Sequence, residues 1–242
     1  MPSLDDQTLL NAVDEIFTAS PFYGTRRIRH ILAHEHKILV GRDRVRSAME
    51  TLGIQAVYPK SHGQNTSKGN IIHEKYPYLL RGLAVNAPNH VWGTDITYIR
   101  LRKGWAYLAA ILDWSSRYVV GFAVSAHPDV TLCKSALDDA LAKGVVPEIH
   151  NSDQGSTYTS TEYTTLLRAR GIQISMDGRG RCMDNIFTER LWRSVKYENV
   201  FLMGYETVEQ VTLGLTDYFT FYNTRRPHQS LGYKTPAELY FV

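Results

Sequence analysis

At residue 90 the hydrophobic pattern changes period, and that switch limits the folds open to this chain. Before it, LDDQTLLNAVDEIFT (4–18), TRRIRHILAHEH and GRDRVRSAMETLG space their apolar residues three and four apart, the signature of amphipathic helices. After it, HVWGTDITYIRL, GWAYLAAILDWSS and YVVGFAVSA are short apolar or alternating runs parted by Arg-Lys-Gly and Ser-Ser-Arg turns. Three such runs with tight connections predict an antiparallel meander. The helical period then alternates with strand-like pieces: DVTLCKSALDDALAKG, VVPEIHNSD, STEYTTLLRARG, IQISMD and DNIFTERLWRSVKYENV. The predicted order, β-β-β-α-β-α-β-α, is an α/β mixed sheet flanked by helices. A helical module over 1–58, a Gly-, Ser- and Asn-rich linker over 59–85, the sheet domain over 86–203 and a helical tail over 204–242 complete the expected organisation.

Composition excludes several classes. No run approaches ~18 apolar residues, so a membrane span is not expected. The acidic start MPSLDDQTLL has no basic flank leading into an apolar stretch, unlike a signal peptide. Cys133 and Cys182 form no C-x-x-C pair and suit a reducing cytoplasm. The net charge is only +3, but its distribution is uneven. Residues 1–20 hold four acids and no base; residues 21–60 hold eight bases against three acids; residues 168–196 hold seven against three. Clustered bases in a nearly balanced chain suit a polyanion partner, although on charge alone solvated helix faces account for them equally well.

Three carboxylates stand out by position. Asp95 lies in mid-strand among apolar residues, where an acid is costly unless paired or metal-bound. Asp153 ends another strand, the usual place for sites in open sheets. Glu189 falls in the last long helix of the sheet domain, with 35 residues between it and Asp153. Three such acids suit magnesium, which prefers oxygen ligands and keeps several waters, and a pair of ions about 3.5–4 Å apart drives in-line displacement at phosphorus. By residue type alone the signal is weak, since 24 acids allow many triples. The flanks add to it. Lys196 lies seven residues beyond Glu189, nearly two turns along the same face, with Trp192 and Arg193 expected beside them and Phe187, Leu191 and Val195 on the apolar side. Asp113, also in an apolar strand, competes for a site role.

VWGTDITYI, HNSDQGSTYTS, GIQISMD and DNIFTERLWRSVKYE resemble the DDE integrase-type core of bacterial insertion-sequence transposases, in particular the second-frame (OrfB) product of the insertion-sequence-three family. YNTRRPHQSLGYKTPAE is similar to that family's C-terminal signature, and YGTRRIRHIL with VGRDRVRSAMETLGI to its helix-turn-helix-like segment. The resemblance implies a ribonuclease H-like fold, with Asp95, Asp153 and Glu189 as catalytic and metal-binding triad. Magnesium is the implied cofactor, with manganese able to substitute. It further implies DNA strand cleavage and transfer at the ends of an insertion sequence. DNA contacts then fall to Trp192, Arg193 and Lys196, and to Arg42, Arg44 and Arg46 of the basic module. The expected partners are the element's ends, target DNA, further copies of the chain and an upstream-frame protein or fusion, in the cytoplasm at the nucleoid. Asp177 stands where the family more often carries a small or polar residue.

Overall fold

The computed structural model describes residues 4–57, 75–178 and 186–242. It divides into two compact units, 1–62 and 63–242. In the first, helices α1 (Leu4–Ala19), α2 (Thr25–His34) and α3 (Arg42–Thr51) pack on one another. Their apolar faces supply Leu9, Val13, Ile16, Ile28, Leu32, Val45 and Met49 to a small core. The arginines of α3 stay outside: Arg42, Arg44 and Arg46 are exposed, Arg44 paired with Asp6 and Arg46 with Asp43 at 3.1 Å.

The second unit is built on a five-stranded sheet ordered β3-β2-β1-β4-β5. Strands β1 (Val91–Arg100), β2 (Trp105–Asp113) and β3 (Val119–Ser125) form the antiparallel meander; β4 (Ile149–Ser152) and β5 (Gln173–Met176) extend it in parallel from β1. The parallel pairs are reached through α4 (Val130–Leu141) and α5 (Thr161–Ala169), as parallel neighbours require a crossover. Alternation along the strands sends side chains into two cores. Trp92, Ile111, Leu137, Tyr163 and Leu167 fill one, and Ile99, Leu108, Leu191, Val195, Leu215 and Phe219 the other. The second core is closed by α6 (Ile186–Val195), a π-helical turn (Lys196–Val200), a single helical turn α7 (Phe201–Met203) and α8 (Val208–Thr224); α9 (Pro236–Tyr240) ends the chain. The tail expected over 204–242 is thus part of this core, and Tyr222, Tyr218 and Leu215 pack within it.

The stretch expected as a linker falls mostly on 58–74, outside the described residues. Its end is packed: Leu80 is buried with Val91, Trp114 and Ile149, and the Leu79 amide donates to Ser175 Oγ at 3.1 Å. Asp113 is absorbed by structure. It is fully buried, with Oδ1 accepting from the Ser116 amide and hydroxyl at 2.8 and 2.6 Å and Oδ2 from the Asn89 amide at 2.7 Å. No helix among the described residues is long and apolar enough to cross a membrane.

Candidate active site

Register places the acids. The last parallel pair between β1 and β4 is Gly93 with Asn151, and two residues further on each chain lie Asp95 and Asp153. Between β4 and β5 the last pair is Ser152 with Met176, and one residue further lie Asp153 and Asp177. Three aspartates therefore share one level across three neighbouring strands, about 4.8 Å apart strand to strand. Asp95 and Asp153 are close enough to repel, and the carboxyl of Asp95 is pushed up to about 7, first by burial and then by the charge of Asp153. Asp153 is raised as well, by burial. A pair of desolvated acids sharing charge this way is relieved by a cation or by a proton.

Each carboxylate is held. Asp153 Oδ1 accepts from the Gly155 amide at 2.9 Å, and a Cβ at Gly155 would come within 2.8 Å of that oxygen, which explains glycine after Asp-Gln. Asp95 Oδ1 accepts from the Ile96 amide at 2.8 Å, and Oδ2 from Trp192 Nε1 at 2.9 Å. Asp177 is nearly buried and its Oδ1 accepts from Asn151 Nδ2 at 2.8 Å. Only the strand register, which spacing along the chain does not carry, sets Asp177 beside Asp153. His150 is a core histidine: Nε2 lies 2.9 Å from the Tyr163 hydroxyl, and burial pulls its pKa down to about 3.

On α6 the arrangement differs from the helical-wheel expectation. Thr188, Leu191, Trp192 and Val195 are the buried positions, a stripe at i, i+3, i+4 and i+7, while Phe187 is only half-buried. Trp192, 8 % exposed, therefore faces Asp95 rather than solvent, and its ring is not available to stack on a base. Arg193 and Glu189 are exposed, Arg193 with its guanidinium 5.7 Å from the Tyr197 ring centre. Lys196 is half-buried; burial lowers its pKa and the charge of Asp95 offsets part of that. It opens the π turn, so regular α-helical steps from Glu189 end at Val195. Among the described residues no three His, Cys, Asp or Glu side chains gather as a metal cluster; Asp95 and Asp153 are near enough for their charges to interact. Asp184, whose place in the sequence suits a cap for α6, lies outside the described residues.

The integrase core domain family matches residues 85–182, a second integrase core family matches 170–236, and the HTH-like domain matches 3–62. The transposase for insertion sequence element IS904 of Lactococcus lactis is 33% identical over 229 residues, covering 89% of this chain and 86% of that protein. The chain belongs to the insertion-sequence transposases. This transposase is also similar to the 31 kDa protein of insertion element IS600 from Shigella sonnei, 32% identical over 218 residues, 89% of this chain and 80% of the other. Its sheet domain has the ribonuclease H-like fold of the HTLV-2 integrase catalytic core, with a TM-score of 0.52 at 18% identity over 64% of this chain and 97% of that one. That core was solved in complex with magnesium. The transposase is an enzyme of DNA transposition in the DDE integrase class, whose chemistry is divalent-metal dependent.

Proposed function

We propose that Asp95 and Asp153 bind the divalent ion, magnesium or in its place manganese, and that Glu189 completes the site. The donor set fits: two carboxylates on neighbouring strands carry more negative charge than their desolvated setting favours, and an ion that keeps several waters needs few protein ligands. When bound, the ion supplies activation of the attacking oxygen and stabilisation of the leaving one. The protein's part is to hold the two carboxylates in register and to keep the phosphodiester beside them.

The reaction proceeds in two displacements at phosphorus. Water attacks a phosphodiester at the element's end; the bond to the 3′-oxygen breaks and a free 3′-hydroxyl leaves. That hydroxyl attacks a second phosphodiester, at the element's other end or in target DNA, so one ester is exchanged for another without a nucleotide cofactor. Lys196 and Arg193, past Glu189 on the same helical run, take phosphates next to the scissile one, and Arg42, Arg44 and Arg46 take backbone phosphates through the helical unit. Further copies of the chain assemble on the paired ends at the bacterial nucleoid, with an upstream-frame protein or fusion adding to the assembly.

The adjacency of Asp95 and Asp153 carries this reading. It is tested with DNA bearing the element's own ends, one substrate intact and one already cut to a 3′-hydroxyl. Asp95→Asn, Asp153→Asn and Glu189→Gln are each expected to lose cleavage of the first and joining of the second while retaining fold and DNA binding. Joining by any of the three removes that residue from the site. Cleavage without joining by the unaltered protein makes it a nuclease instead.

A further inference from the structure

The two hydrogen bonds that hold the Asp95 carboxylate come from very different places. One is its neighbour's amide, Ile96 N to Oδ1 at 2.8 Å, and moves with the strand. The other crosses 97 positions of sequence, from the indole of Trp192 to Oδ2 at 2.9 Å. That indole is packed in the core with Ile99, Leu191 and Val195, so its N–H is fixed in direction. An indole N–H only donates and carries no charge, and a carboxylate oxygen that accepts one bond keeps a second lone pair. Such a donor sets the plane of the carboxylate without opposing a cation. It also ties to Asp95 the helix that carries Glu189 three residues before and Lys196 four residues after.

We propose that Trp192 is a positioning residue for the metal site, orienting Asp95 for a divalent cation through its indole N–H and fixing α6 against β1. The inference rests on Asp95 being an ion ligand. Groups that orient metal ligands in this way typically contribute about 10–100-fold to ion affinity. A tryptophan that merely fills the core would contribute to stability and nothing to affinity.

The test is Mn2+ binding by calorimetry to the full chain without DNA, which involves no turnover. Trp192→Phe keeps a ring in the core and removes the N–H; it is expected to fold and to bind Mn2+ about 10-fold or more weakly. Trp192→His, which restores a ring N–H, is expected to recover part of the loss. Wild-type affinity in the phenylalanine variant, while Asp95→Asn has lost binding, overturns the role of Trp192. Undiminished binding by Asp95→Asn overturns the underlying assignment of Asp95 instead. A second measurement needs no tryptophan variant. Of the four indole N–H signals in the spectrum of the 15N-labelled protein, the one displaced by Asp95→Asn is expected to move on titration with Mg2+. If no indole signal follows Mg2+, the proposal fails.

Discussion

Arg226 grips Glu198 through two hydrogen bonds of 2.6 Å, Nε to Oε2 and Nη2 to Oε1, with both side chains almost wholly out of solvent. Glu198 sits in the π turn after α6, and Arg226 just beyond α8. The Tyr218 hydroxyl donates to Glu198 Oε2 at 2.9 Å, and Arg226 Nη2 also donates to Ser194 Oγ of α6 at 3.1 Å. Burial pulls the guanidinium pKa down, but Glu198 more than offsets it and leaves Arg226 above its usual range. The family's C-terminal signature thus clasps the helix that bears Glu189, Trp192 and Lys196.

Removing one partner leaves a buried charge uncompensated, which costs about 3–5 kcal/mol, whereas replacing both by apolar groups of similar volume is often neutral. Arg226→Met is therefore expected to lower the urea-unfolding free energy by that amount, and Arg226→Met with Glu198→Leu to regain most of it. A single variant within about 1 kcal/mol of wild type would show the pair acting like an ordinary surface ion pair.

The raised pKa of Asp95 makes a signed prediction about pH. Below the unfolded value of 3.8 the acid is protonated in both states and neutral in its effect. As pH climbs toward about 7 the unfolded chain ionises and the folded one resists, so the folded state loses relative stability until Asp95 ionises there too. At one pKa unit per 1.36 kcal/mol, the full cost at pH 8 is on the order of 4 kcal/mol. Without divalent ions Asp95→Asn is expected to be more stable than wild type at pH 8, with the gap closing near pH 4. Adding Mg2+ at pH 8 raises the wild-type melting temperature and leaves the variant's nearly unchanged. Parallel melting curves at the two pH values contradict the shift.

Gly93, paired with Asn151, has no room for a side chain: a Cβ there would stand 2.1 Å from Trp114 Nε1. Trp114 is buried and meets the edge of Phe187, at the start of α6, with ring centres 5.3 Å apart. Gly93→Ala is expected to displace the indole and, through Phe187, the first turn of that helix. Overpacking of this kind costs about 1–3 kcal/mol, readable in urea. Wild-type stability in the alanine variant means that Trp114 swings aside freely.

Strand existence, order and the mid-strand place of Asp95 were legible because they follow from local period: alternation marks β1 to β3, and the helical spacing between later strands forces crossovers. Asp177 was not, because its place beside Asp153 depends on which strands pair and in what register. Trp192 was misplaced for a related reason. Phe187, Leu191 and Val195 make a plausible apolar ridge, but the buried stripe runs through Thr188, Leu191, Trp192 and Val195, and only the facing carboxylate of Asp95 gives the indole N–H a partner inside. The π turn carries no local sequence signal at all. It is held by Arg226 on Glu198, 28 positions on, and by the Tyr205 hydroxyl, six positions on, donating to Asn199 Oδ1 at 2.8 Å.

Lys196 is where that turn meets the proposed chemistry. The ammonium is half-buried, lowered in pKa by burial, and placed so that the charge of Asp95 acts on it. Lys196 stands at the junction of α6 and the π turn, one step past Val195, where its charge and that of Asp95 interact. A positive charge that interacts with Asp95 does not help to bind a cation; it does serve a phosphate drawn in by that cation. Lysine acts there as a point charge on a flexible stem. Lys196→Met is therefore expected to leave Mn2+ affinity within about twofold, a free-energy change of only ~0.4 kcal/mol. The same variant weakens binding to DNA carrying the element's end. In Ca2+, chosen so that no cleavage intervenes, the slope of log affinity against log salt is expected to become shallower by about 0.9, the loss of one neutralised phosphate. Lys196→Arg keeps the charge and is expected to restore the slope and part of the cleavage rate. An unchanged salt slope in Lys196→Met would place the ammonium against Asp95 alone and remove it from the DNA.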